Sequence, residues 1–149
     1  MSHESSTTSG PERIHVEVRD EPGQVSIAVA REIAACIVRC RDEGRGCVLG
    51  LATGSSPMGV YAELVRMHRE EGLSFEGVTT FNLDEYYPMH PEALQSYRRF
   101  MQEHLFDHID IDPAKTHVPD GLVPEAGIDE WCGAWEQAIE LAEGIDLQL

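Results

Sequence analysis

Basic residues are scarce. The 149 residues hold 11 Lys plus Arg against 27 Asp plus Glu, a formal net charge of −16 at pH 7. Nucleic-acid binding without sequence preference needs a basic footprint, so that function class is excluded. Docking on an anionic lipid surface is excluded on the same ground. Long apolar runs are also missing. No stretch approaches the ~20 residues of a membrane-spanning helix. The opening segment, Met1 to Arg13, is polar and lacks the apolar centre of a secretory leader. These absences set the expectation of a cytoplasmic protein with neither nucleic acid nor membrane as partner.

Cysteine is sparse and badly spaced for metal. Cys36, Cys40, Cys47 and Cys132 form no C-x-x-C pair. Cys36 and Cys40 sit i,i+4 inside a helical pattern, and Cys47 opens an apolar run. They read as free thiols packed as small hydrophobes in a reducing compartment. A zinc site would need two further ligands at suitable spacing, so no metal is expected. The chain also lacks a G-x-S-x-G elbow, a Walker loop and a G-x-G-x-x-G turn, which removes the usual signals for serine hydrolysis and for nucleotide binding.

What is present alternates. Residues 1–12 are Ser/Thr-rich and read as a disordered tail. Ile14, Val16 and Val18 have strand period. Pro22 opens a helix that ends near Gly44. Cys47–Leu51 is a short apolar run suited to a buried parallel strand. A turn, Ala52 to Ser56, leads into a helix from Pro57 to Gly72. On that helix Met58, Tyr61, Leu64, Val65 and Met67 form the apolar face. Val78–Phe81 reads as a strand, Leu94–Phe106 as a helix and Thr116–Val118 as a short strand. Gly127–Glu143 follows as a helix with Trp131, Trp135, Ala138, Ile139 and Ala142 on one side. Ile145–Leu149 begins a further strand. The order predicts an α/β fold, a Rossmann-like, mostly parallel sheet with helices on both faces. In such folds ligands lie where strands run into helices.

Two of these junctions carry unusual chemistry. At the first, Thr53, Gly54, Ser55 and Ser56 precede Pro57. Glycine allows close backbone approach, the hydroxyls can donate, and a helix start offers free N–H groups to an anion. The same residues also suit an ordinary strand-to-helix turn with Ser56 as cap. At the second, Asp84 and Glu85 follow a strand end. A carboxylate there can serve as general base for a C–H next to a carbonyl or imine. The pair equally suits a solvated loop, and with His90 it makes at most a weak metal set.

The runs LGLATGSSPMGVYAELV, VTTFNLDEYY and LQSYRRFMQEHLFDHIDI, in that order and spacing, resemble the glucosamine-6-phosphate deaminases. The resemblance implies a reaction that converts glucosamine 6-phosphate and water to fructose 6-phosphate and ammonia, without redox cofactor or metal. It implies Asp84 as the general base, Thr53, Gly54, Ser55 and Ser56 as the phosphate loop, Glu85 and Tyr97 as substrate-binding residues in supporting roles, and Tyr86 as a further residue flanking the site. The sister 6-phosphogluconolactonases share the loop and an acidic pair. They usually carry arginine where this chain has Tyr86. A lactonase-like hydrolase and a non-catalytic sugar-phosphate sensor are the alternatives. In the deaminases a strand like Ile145–Leu149 is followed by a His-containing loop that opens the sugar ring and by further phosphate-binding cations. The resemblance therefore implies that residues 13–149 are the N-terminal, truncated portion of a deaminase domain. The full-length form would be a homo-oligomer, in some relatives fused to a further domain.

Overall fold

The structure is a computed structural model and describes residues 16–149. The Ser/Thr-rich segment 1–12 lies outside the described residues. Four helices and four strands alternate: α1 (Pro22–Asp42), β1 (Cys47–Leu51), α2 (Ser55–Glu71), β2 (Val78–Asn82), α3 (Tyr97–His104), β3 (Thr116–His117), α4 (Ile128–Leu141) and β4 (Leu147–Gln148). Short 3₁₀ turns fill the loops after α3 and before α4.

One strand expectation fails. Ile14 lies outside the described residues, while Val16 and Val18 are 74% and 87% exposed and belong to no strand. Alternation supplies a face, but a strand also needs a ladder partner. No strand of the sheet pairs with residues 16–18.

All strand pairs are parallel, in the order β3-β2-β1-β4. The chain builds outward from β1 through β2 to β3, then returns to place β4 on the other side of β1. The strand order therefore reverses at β1. Leu51 sits level with Asn82 in the register, so the loops leaving β1 and β2 start side by side.

Alternation sorts the residues by face. Cys47, Leu49 and Leu51 of β1 and Val78 of β2 join the main core with Ala30, Ile33 and Ile37 of α1 and Val60, Tyr61 and Leu64 of α2. Burying a leucine such as Leu64, which is fully inaccessible, is worth about 1.5–3 kcal/mol. Phe81 points to the opposite face, where it stacks on His117 and meets Trp135 of α4 edge-on, centroids 4.6 and 5.5 Å away. Helices thus cover both faces, unequally. The stripe Trp131, Trp135, Ala138, Ile139 and Ala142 is the half-buried side of α4, and no residue of that helix is fully buried. On α2 the expected face is shifted: Met58 is exposed and Val60 is buried instead.

Candidate functional site

Reversal of strand order at β1 opens a crevice at the carboxyl ends of the strands. The chain leaves β1 through Ala52 and Thr53 to Gly54, the residue capping α2. Gly54 has φ 100° and ψ −173°, a conformation open in practice to glycine alone. No side chain caps α2. Gly54, Ser55 and Ser56 are exposed, and a Cβ on Gly54 would enter open space. The first turn of a 17-residue helix therefore presents free N–H groups and its positive dipole end to whatever occupies that space.

The loop is held from below by a residue that the pattern placed only on the helix face. The Tyr61 hydroxyl donates to the Ala52 carbonyl. Tyr61 is wholly buried, and burial pushes its phenol far above the ordinary value, so it remains a neutral donor.

Beyond β2, Asp84 is exposed, and its carboxylate makes no hydrogen bond or ion pair among the described residues. Glu85 behaves differently. Its carboxylate accepts from the Ser96 hydroxyl at 2.8 Å, from Tyr97 N–H at 2.9 and 3.0 Å and from Arg98 N–H at 3.2 Å. Ser96 in turn caps α3, its hydroxyl oxygen accepting from Arg98 N–H at 3.1 Å. Glu85 thus spends both oxygens on the N-terminus of α3, where a negative charge is favoured.

This clamp positions Tyr97, the first residue of α3. Its hydroxyl lies near enough to the side chains of Tyr86 and Thr53 for both to act on it, and its ring lies 4.8 Å from that of Tyr86. The Tyr86 side chain, then burial, raise the Tyr97 phenol above its usual value. The nearby Asp84 charge adds to this and Thr53 opposes it. Tyr97 is therefore a neutral hydrogen-bonding group beside an ionisable carboxylate. Gly54, Tyr86, Met89, Leu94, Ser96 and Phe100 line a cavity of ≈ 520 Å³ at this place.

The loop that carries Tyr86 is docked onto residues 119–123. Met89 N–H donates to Gly121 O at 2.8 Å, and the Tyr87 hydroxyl donates to Val123 O at 2.9 Å. A Cβ on Gly121 would stand 2.6 Å from Met89 O and 2.9 Å from Tyr86 O, so only glycine allows this approach. Neither Gly121 nor Tyr61 stands out in the sequence. A second signal is Asn82, the last residue of β2. It is 2% exposed, its amide donates weakly to Leu51 O at 3.4 Å, and its Oδ1 has no partner.

The structure brings Thr53, Gly54, Asp84, Tyr86 and Tyr97 to one place, with Ser55 and Ser56 following Gly54 in the first turn of α2 and Glu85 on the N-terminus of α3. The arrangement offers an open helix N-terminus and an uncommitted carboxylate beside a cavity of small-molecule size. Among the described residues the one group of three or more metal-ligating side chains is elsewhere, at Cys36, Cys40 and Cys47.

Known proteins share this layout. The chain is 51% identical over 102 residues to a glucosamine-6-phosphate deaminase of Halothermothrix orenii, covering 68% of this chain and 42% of that protein. It is 46% identical over 126 residues to the deaminase of Clostridium perfringens, covering 85% and 50%. The chain spans about half the length of these curated relatives. Among solved structures, a monomeric glucosamine-6-phosphate deaminase superposes with a TM-score of 0.80 at 34% identity, over 86% of this chain and 51% of that one. A 6-phosphogluconolactonase from Thermotoga maritima follows at a TM-score of 0.67 and 25% identity, over 83% and 53%. The model of the family described as glucosamine-6-phosphate isomerases/6-phosphogluconolactonase matches residues 20–148, a span that takes in every strand, the Gly54 cradle and Asp84; the chain belongs to that family.

Proposed function

We propose that this chain supplies the phosphate cradle and the proton-transfer carboxylate of an amino-sugar-phosphate deaminase/isomerase. The observation that carries the reading is the placement of Asp84, uncommitted and exposed, beside the Thr53–Tyr97–Tyr86 hydroxyl cluster and the open N-terminus of α2. The phosphate of glucosamine 6-phosphate would sit on the N–H groups and hydroxyls of Gly54, Ser55 and Ser56. Asp84 would remove the C2 proton of the ring-opened sugar and return it to C1. Water then supplies the oxygen at C2 as ammonia leaves, giving fructose 6-phosphate. Tyr97 and Thr53 would orient the sugar hydroxyls. Glu85 would serve the substrate through Tyr97, which it holds in place.

A lactone hydrolase is the second reading, supported by the Thermotoga maritima neighbour. Deaminases at 46–51% identity against a lactonase at 25% favour the first. The test places this chain's matched segment in the corresponding position of the Clostridium perfringens protein and assays both substrates. Ammonia release from glucosamine 6-phosphate, without 6-phosphogluconolactone hydrolysis above background, supports the deaminase. The reverse pattern establishes the lactonase.

A further inference from the structure

Three cysteines that are scattered along α1 and β1 converge at the end of the sheet opposite the Asp84 site. Cys36 and Cys40 lie one turn apart near the end of α1, and Cys47 is the first residue of β1. Their sulfurs all lie within 4.8 Å of one another, and Cys36 Sγ stands 3.8 Å from Cys47 Sγ. All three are free thiols and are buried. Packing alone would account for three small apolar side chains. It does not account for the polar groups around them. Asp146, the residue before β4, lies near Cys40, close enough for each group to act on the other's titration. Its carboxylate also accepts from Val48 N–H at 2.9 Å and from Arg45 at 2.8 to 3.0 Å. Arg39 donates to Cys36 Sγ at 3.4 Å.

We propose that Cys36, Cys40 and Cys47 supply three ligands of a tetrahedral zinc site, with Asp146 swinging in as the fourth. Sulfurs bound to one zinc at about 2.3 Å stand about 3.8 Å apart. One pair already has that spacing, the other two must close by at most about 1 Å, and Asp146, which lies outside the 4.8 Å group, must move inward. Three thiolates and a carboxylate around Zn²⁺ carry two net negative charges. The guanidinium groups of Arg39 and Arg45 are placed to balance them, and Arg45 and Val48 N–H orient the carboxylate as outer-shell partners do. Binding releases the three thiol protons to solvent and changes no oxidation state. The ion would tie the end of α1 and the start of β1 to the entry of β4. The i,i+4 spacing and the separation of Asp146 in sequence hide the set from any local motif.

The test uses the 149-residue chain, reduced with a phosphine that does not bind metal, and Co²⁺ as the spectroscopic probe before Zn²⁺. The expected result is one cobalt per chain with thiolate-to-cobalt charge-transfer bands and tetrahedral d–d absorption, both bleached by one equivalent of zinc. Cys40→Ser should abolish the bands, and Asp146→Asn should weaken binding about 10- to 100-fold. Cys132→Ser, at an exposed thiol outside the cluster, should leave them unchanged. Charge-transfer intensity counts the bound sulfurs in the unaltered chain, so the test is decisive even where a cysteine variant fails to fold. Absence of the bands in the folded, unaltered chain at millimolar cobalt overturns the proposal. So does metal uptake that Cys40→Ser leaves intact.

Discussion

At the residue scale, the candidate site rests on a few positions whose conformation or partner is unusual. Gly54 is one, because φ 100° with ψ −173° is strained for any residue bearing a Cβ. Gly54→Val should destabilise the fold by about 1–3 kcal/mol and weaken sugar-phosphate binding, read by denaturant melts and calorimetry on the chimera. Normal affinity in a folded variant would remove the cradle. The glycine-hydroxyl loop was legible in the sequence because its chemistry is local. Tyr61 was legible only as a helix-face residue. Its hydroxyl bond to Ala52 depends on how α2 turns back under the loop.

Asp110 gives a pH-dependent test of another joint. Burial pushes its carboxyl up, but the Ser74 hydroxyl at 2.7 Å, the Phe75 N–H at 2.6 Å and the charge of His68 hold it below the ordinary value. A carboxyl depressed in the folded state adds stability above its unfolded pKa, and that stability is lost as pH falls through the folded pKa. Asp110→Asn should therefore melt lower than the unaltered chain at neutral pH. The difference should shrink as pH drops below about 4. A difference that is constant with pH would assign the effect to packing.

At the element scale, α3 depends on a carboxylate from another segment. It is eight residues long, too short to persist by itself in water, and Glu85 and Ser96 together satisfy its first N–H groups. Glu85→Ala should cost about 1–2 kcal/mol and raise KM by letting Tyr97 leave Thr53, while Glu85→Gln, which keeps an acceptor, should recover most of the loss. Equal damage from both variants, confined to kcat, would instead mean that the Glu85 charge acts on the substrate. Most elements were legible, since period, capping residues and glycine stops agree over α1, β1, α2 and β2. The strand expected at Ile14–Val18 was not borne out at Val16 and Val18, because period alone cannot show whether a segment docks on a sheet edge. The role of Glu85 as a cap was hidden for a similar reason. Its partners lie 11 to 13 residues downstream and meet it only because the Tyr86 loop folds back onto Gly121.

At the scale of the whole molecule, charge and cradle pull in opposite directions. A net charge of −16 repels an anionic substrate at long range, and residues 46–149 contain only Arg66, Arg69, Arg98, Arg99 and Lys115 as fixed cations. Arg66 is engaged with Glu63, Glu70 and Glu71, and Arg99 with Glu103. On the proposed function, phosphate capture within the chain falls on backbone N–H groups and hydroxyls at the start of α2. The reversal of strand order at β1 sets these groups beside the loop bearing Asp84, the carboxylate proposed to move the substrate proton. The most direct measurement is the steady-state kinetics of ammonia release from glucosamine 6-phosphate by the chimera with and without Asp84→Asn. In the variant kcat should fall about 10²- to 10⁴-fold, with KM changed far less. A variant that keeps kcat and loses only affinity would contradict the general-base role.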